Sequence, residues 1–281
     1  SIDDLPRAVL RPNAYLLLDG DWHFALDLED KGLRDNWHLG HEYQEFAHWP
    51  GSVEERMKSI YPAGRSDLPE KVVVWYEREF PLPLHENHST KSMTQLTFGA
   101  CGYETRVWLN GFPLKTIEDE LVHCGEYTSF SYELDLNILQ ANNRLTVRIA
   151  DTLNADIPRG KQQSHIYKRG GIWYQTYSGP VRSIWLEAIE RNRLRSRVGV
   201  VSIVEDRLVR FNLTLHIHDP GTYTVKLEVF QEPKTDVPLA ADSFTMALEA
   251  GERRLVERRD VAGGQVEHPF GQPLGLAAHP A

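Results

Sequence analysis

The sequence predicts an all-β chain built as two consecutive β-sandwiches. Three observations predict it. Apolar and β-branched residues recur at every second position, turn-forming pairs separate these runs at short intervals, and all seven tryptophans fall before residue 190. The runs, in chain order, cover residues 72–80, 93–98, 105–109, 145–149, 181–186, 198–204, 208–217 and 222–230. Asp19-Gly20, Asn110-Gly111, Asn142-Asn143, Ser178-Gly179 and Asp219-Pro220-Gly221 supply the turn chemistry between runs. Thr105-Arg-Val-Trp-Leu-Asn-Gly-Phe-Pro-Leu reads as two short strands around a tight turn, because Asn-Gly tolerates the positive φ values such a turn requires. Phe211-Asn-Leu-Thr-Leu-His-Ile-His sends apolar and polar side chains to opposite faces, the mark of a half-buried strand.

The character of the chain changes near residue 190. The tryptophans (22, 37, 49, 75, 108, 173 and 185) give way to plain Val/Leu/Thr/Glu alternation after Glu190-Arg-Asn-Arg-Leu-Arg-Ser-Arg. That charged stretch reads as a solvated linker and first strand rather than a basic binding patch. A domain boundary is expected at 188–195, giving a Trp-rich sandwich over 1–190 and a smaller sandwich of immunoglobulin size over 191–281. Trp75, Trp108 and Trp185 sit within alternating runs and are expected to be buried in the sandwich core. From about residue 262 the chain is rich in Gly and Pro and cannot supply a central strand.

Composition excludes several classes of function. The hydrophobic fraction is 41% and the charged fraction 25%, the values of a soluble globular protein rather than a disordered one. A formal charge of −9 without a Lys/Arg block argues against nucleic acid as a partner. No stretch approaches the ~18 apolar residues of a membrane span, so no membrane partner is expected. The first residues carry no signal-peptide pattern, which leaves both a cytoplasmic and an exported location open. Cys101 and Cys124 are too few for a disulfide scaffold; two free, buried thiols are expected.

Enzyme signatures are sparse. No phosphate-cradling glycine loop, His-Glu-x-x-His or Gly-x-Ser-x-Gly occurs, and no cofactor is expected. His216 and His218 share a strand face, yet no third ligand lies near in sequence, so no metal site is assigned. Glu54-Glu55, Glu118-Asp119-Glu120 and the pair Asp151/Asp156 are read as solvated loop acids. Two polar, aromatic-bearing loops are more informative. The first runs from Trp49-Pro-Gly-Ser to about Pro69 and carries Arg56, Lys58, Tyr61, Arg65 and Asp67. The second covers residues 151–177 and combines Trp173, Tyr174 and Tyr177 with Arg159, Lys161, Gln162, Gln163 and His165. Flat apolar faces beside hydrogen-bonding groups suit a sugar, which offers C–H patches and a rim of hydroxyls. The alternative is that the aromatics plug the end of the sandwich and the cations pair with surface acids.

These segments resemble glycoside hydrolase family 2, the β-galactosidase and β-glucuronidase superfamily. Leu18-Asp-Gly-Asp-Trp-His-Phe is similar to the family's opening "L-(D/N)-G-x-W-x-F", and Trp49-Pro-Gly-Ser to its "V-P-(G/S)-S/N" loop. Trp75-Tyr-Glu-Arg-Glu-Phe resembles "W-Y-x-(R/K)-x-F", and Phe98-Gly-Ala with Thr105-Arg-Val-Trp-Leu-Asn-Gly resembles "F-x-(G/A)-V…A-x-V-(W/Y)-(L/V)-N-G". His123-Cys-Gly-Glu-Tyr-Thr-Ser-Phe is similar to "H-x-G-G-(Y/F)-T-P-F". Gly171-Ile-Trp-Tyr and Ser178-Gly-Pro-Val-Arg-Ser-Ile-Trp-Leu-Glu resemble the closing "G-I-W-Y…(S/T)-G-I-W-(Q/R)-x-V-W-L-E". The likeness covers residues ~15–190 well and ~195–260 more weakly.

The resemblance implies a jelly-roll (galactose-binding-like) sandwich, then an immunoglobulin-like domain, then a TIM barrel bearing two catalytic Glu. The barrel takes about 250 residues, so both catalytic Glu are expected to lack a counterpart here. Residues 170–177 hold no carboxylate where the family places an Asp that reaches the active site. Galactose or glucuronate specificity is therefore not carried over. Cys124 and Glu126 replace common glycines, and Pro180-Val181 stands where Ile-Trp is usual. The expected role is the non-catalytic N-terminal part of a retaining exo-glycosidase, inactive alone, with a β-glycoside and the catalytic barrel as partners. Arg65, Asp67, Arg159, Gln162, His165, Trp173 and Tyr174 are its candidate sugar-binding residues. The competing reading is a free-standing carbohydrate-binding or adhesion module; homo-oligomerisation stays open in both.

Overall fold

The computed structural model describes residues 15–54, 71–81, 92–135, 137–152, 157, 177–194, 199–203, 208–230, 237–238 and 240–260. They are nearly all strand and connecting loop, and they divide into two compact units between Ala188 and Ile189. Among the described residues no helix is long and apolar enough to cross a membrane.

The first unit contains β1 (Tyr15–Leu17), β2 (Gly20–Leu26), β3 (Glu45–Trp49), β4 (Lys71–Pro81), β5 (Ser92–Phe98), β6 (Cys101–Gly102), β7 (Glu104–Leu109), β8 (Phe112–Pro113), β9 (His123–Cys124), β10 (Phe130–Leu134), β11 (Asn142–Thr152), β12 (Gly179–Pro180) and β13 (Ile184–Glu190). One sheet has the order β3-β2-β4-β11-β7-β8, with β9 also on β7; the other runs β1-β13-β5-β10. The pairs β1/β13 and β5/β10 of the smaller sheet and those of the larger sheet are antiparallel. Their inward faces form one core. Trp22, Phe24, Trp49, Val74, Tyr76, Val107, Leu109, Leu145 and Val147 come from the larger sheet; Leu96, Phe98, Phe130, Tyr132, Ile184 and Leu186 come from the smaller.

The Asn-Gly turn forms as its chemistry predicts. Asn110 and Gly111 both take positive φ (52° and 86°), and the Asn110 amide donates to Asn143 Oδ1 while its Oδ1 accepts the Arg144 N–H. The run expected at 145–149 is the middle of an eleven-residue strand, β11, paired along its whole length with β4. The run expected from 181 begins only at Ile184. The Val181 and Arg182 N–H groups both donate to the Ala100 carbonyl, so the chain is anchored there before the ladder starts.

The three predicted core tryptophans are buried, with Trp75 at 0% exposure and Trp108 and Trp185 at 6%. Their position differs from the expectation: none of them faces the sandwich interior. Strand side chains alternate, and Val74, Tyr76, Val107, Leu109, Ile184 and Leu186 take the inward places, so their neighbours point the other way. Trp75 and Trp108 stack on each other at 5.3 Å beneath Trp37, which packs with Leu33 and Tyr43 on the outer side of the larger sheet. That sheet is therefore buried on both faces around β4 and β7. The covering segment is fixed by Asp27. Its Oδ1 accepts the Lys31 N–H at 2.8 Å, and its Oδ2 accepts the Gly32 N–H at 2.8 Å and the Trp75 indole N–H at 3.1 Å. Trp185 faces outward from the smaller sheet and donates to Glu187 Oε1.

Both cysteines are free, as expected. Only Cys101 is buried, however; Cys124 is exposed at the short strand β9.

The second unit contains β14 (Arg193–Leu194), β15 (Gly199–Ile203), β16 (Leu208–Ile217), β17 (Gly221–Val229), β18 (Ala240–Leu248) and β19 (Gly251–Asp260). Strand β16 pairs with β14 and β15 and, along its length, with β19; β17 pairs with β18. Leu213, Leu215 and Ile217 fill its core with Val225 and Leu248, which fits the alternation read from the sequence. The Gly/Pro-rich segment from 262 lies outside the described residues.

Candidate functional site

At one place in the first unit the Trp49–Glu54 segment runs beside Tyr177–Pro180. The Gly51 N–H donates to the Pro180 carbonyl and the Val53 N–H to the Ser178 carbonyl, both at 3.1 Å. On its other side β12 pairs with β6, Gly179 opposite Gly102 and Pro180 opposite Cys101. Glycine is required at 179: its φ is +100°, and a Cβ there would meet the Val53 side chain at 2.8 Å.

Glu54 occupies this junction. Its Oε2 accepts the Ser52 hydroxyl at 2.5 Å and the Ser178 N–H at 3.0 Å, and the Glu54 N–H donates to Ser52 Oγ at 3.1 Å. Burial pushes its carboxyl above the usual range, partly offset by the hydrogen bonds from Ser52 and Ser178. Glu54 Oε1 is removed from water with no hydrogen-bond partner among the described residues, and Ser178 is only 2% exposed. Tyr177 donates its hydroxyl to the Pro180 carbonyl at 2.9 Å.

The reading of Glu54 and Asp151 as solvated loop acids is corrected by this arrangement. Glu54 is held in the junction, and Asp151, 4% exposed at the end of β11, accepts the Thr152 N–H. The sequence carried one signal for Glu54: a serine two positions before an acid, a spacing at which the hydroxyl binds the local backbone. Nothing in the sequence linked it to Ser178.

Arg65, Asp67, Arg159, Gln162, His165, Trp173 and Tyr174, together with Arg56, Lys58, Tyr61, Lys161 and Gln163, lie outside the described residues. The junction borders both segments that carry them: residue 55 follows Glu54, and residue 176 precedes Tyr177. Among the described residues no group of three or more His, Cys, Asp or Glu could hold a metal ion. His218 instead contacts Asp219 Oδ1 at 3.0 Å.

No family model matches the chain. A β-glucuronidase of Mus musculus is 27% identical over 215 residues, 67% of this chain and 31% of the relative. The chain is similar in sequence to the β-glucuronidases. It spans about a third of the length of the curated relatives it matches. Among solved structures, the Ruminococcus gnavus β-glucuronidase in complex with D-glucuronic acid aligns with 92% of this chain and 42% of its own, at a TM-score of 0.58 and 16% identity. A glycosyl hydrolase family 2 member from Bacteroides cellulosilyticus aligns with 87% of this chain and 30% of its own, at a TM-score of 0.58 and 14% identity. These two share the all-β sandwich architecture described above.

Proposed function

We propose that this chain is the non-catalytic N-terminal part of a retaining family 2 exo-glycosidase of β-glucuronidase type. In this reading it forms one wall of the substrate pocket and docks on a catalytic barrel. The supporting observation is the asymmetry of the likeness: two thirds of this chain aligns with a β-glucuronidase, but less than a third of that relative is used. Retaining hydrolysis needs an acid and a nucleophile ~5–5.5 Å apart. Both belong to the barrel in this reading, and this chain contributes binding alone.

The chemistry proposed for that wall follows from its residue types. Trp173 and Tyr174 offer faces for the C–H side of a sugar ring. Asp67, Gln162 and His165 match ring hydroxyls, and Arg65 and Arg159 suit the carboxylate of a sugar acid such as the one bound by the Ruminococcus gnavus relative. The 281-residue chain is expected to release no nitrophenol from a nitrophenyl β-glucuronide, whereas the chain extended by the rest of its reading frame releases it. Steady turnover by the 281-residue chain, abolished by replacing one of its own acids, overturns this reading. A reading frame that stops after Ala281 favours a free-standing sugar-binding module.

A further inference from the structure

The Ser178 N–H and the Glu54 carboxyl belong to residues 124 positions apart, yet they meet at 3.0 Å. We propose that Glu54 is a positioning residue: its carboxyl group ties the chain entering residues 55–70 to the chain leaving residues 153–176, giving both segments one fixed root. The inference rests on the reading of those segments as substrate-facing.

Three contacts in succession carry it. The Gly51 and Val53 N–H groups reach the carbonyls of Pro180 and Ser178, which sets the two stretches of chain side by side. The pairing then passes from backbone to side chain, with Glu54 Oε2 taking the Ser178 N–H. A buried N–H without an acceptor costs the free energy of a lost hydrogen bond, so this carboxyl adds one side-chain tie to the backbone bonds that hold the Ser178 end. Ser52 orients it twice over, donating its hydroxyl to Oε2 and accepting the Glu54 N–H. Beyond the two backbone bonds, the side-chain part of the connection passes through one acceptor oxygen.

The bond needs an acceptor at the right reach and does not need a charge. An amide of equal length supplies the same acceptor oxygen to the Ser178 N–H. Glu54→Gln therefore preserves the tie. Glu54→Asp keeps the charge, but is one methylene too short to span it. Glu54→Ala removes it.

The test is hydrogen exchange on the 281-residue chain, comparing wild type with these three variants and with Ser178→Ala, which keeps the backbone donor. Glu54→Ala and Glu54→Asp should accelerate exchange about tenfold in peptides covering 49–54 and 177–182, the factor expected for one lost buried hydrogen bond. Peptides from β4 and β11 should stay unchanged. Glu54→Gln and Ser178→Ala should exchange like wild type. Acceleration in Glu54→Gln equal to that in Glu54→Asp overturns the proposal, as does equal acceleration across β4 and β11 or no acceleration in Glu54→Asp. If Glu54→Ala does not fold, the Asp and Gln variants still decide. No sugar is present in this measurement. Its failure therefore removes the tie alone, whereas an unchanged KM for Arg159→Ala in the extended protein removes the substrate-facing reading and leaves the tie standing.

Discussion

Replacing Trp75 tests whether the outer face of the larger sheet is a second core. The side chain has no exposure, stacks on Trp108 at 5.3 Å and tilts against Trp37 at 5.8 Å. Truncating a buried tryptophan to alanine costs about 3–5 kcal/mol in transfer and cavity terms, and each lost aromatic pair adds about 0.5–1.5 kcal/mol. Asp27 keeps both of its backbone donors, so no buried carboxylate is orphaned. A total of about 4–6 kcal/mol is expected, a large share of the ~5–15 kcal/mol that holds a domain folded. For a unit of this size that lowers the melting temperature by about 10–20 °C. Trp75→Phe, which keeps a ring but loses the indole N–H, should cost about 1–2 kcal/mol. The assay is thermal unfolding followed by far-ultraviolet circular dichroism, with Trp49→Ala as the reference for the sandwich interior. If Trp75→Ala melts within about 3 °C of wild type while Trp49→Ala loses ten or more, the outer layer contributes little and the two-core description fails.

Gly32→Ala should destabilise by about 1–3 kcal/mol in the same assay, because its Cβ would stand 2.5 Å from the Trp75 indole nitrogen and 2.9 Å from Asp27 Oδ2. An unchanged melt shows that the covering segment yields freely. The native chain should take up one equivalent of alkylating reagent quickly at exposed Cys124. The second should react only after denaturation, since burial lifts the Cys101 thiol to about 12. Two rapid equivalents on the folded protein contradict the burial of Cys101. Burial tends to raise the Asp30 carboxyl, but hydrogen bonds from Lys71 and Arg148 outweigh it and hold it below the usual range. That contribution is present above the unfolded value near 3.9 and is lost as pH falls through the lower folded value. With Asp30 partly exposed and screened by solvent, Asp30→Asn should therefore cost about 0.5–1 kcal/mol at neutral pH, with a gap from wild type that narrows below about pH 4 in urea titrations. A gap constant from pH 7 to pH 2 rules out this ion pair as its source.

Strand patterning carried most of the fold, and its failures have physical causes. Residues 213–217 alternate between buried and half-buried side chains because one face of β16 meets the core, and the strand appears with the bounds Leu208–Ile217. Residues 72–76 form an unbroken apolar run because both faces of β4 are covered there. Periodicity reports burial in such a run, but it cannot say which layer each side chain joins. The covering residues Leu33, Trp37 and Tyr43 lie outside any strand and carry no period, so the second core had no signature. Short strands such as β3 rest on partners distant in sequence rather than on their own composition. At the junction, the motif serine Ser178 was visible as a type of residue. Its link to Glu54 depends on a fold that brings positions 124 apart together.

The closing order of the first sandwich has a consequence for its synthesis. Strand β1 pairs only with β13, Tyr15 opposite Glu187, among the described residues. At ~5–20 residues per second, a ribosome needs roughly 10–35 seconds to make the partner after the first strand has been made. Strands β2, β3 and β4 can pair as soon as residue 81 is free, but their inward aromatics, Trp22, Phe24, Trp49 and Tyr76, then face no opposing sheet. Leu96 and Phe98 arrive next and Phe130 and Tyr132 after them, while Ile184 and Leu186 come last. A nascent chain stalled before residue 184 thus presents a half-covered aromatic surface, which is the kind of surface that recruits chaperones during translation.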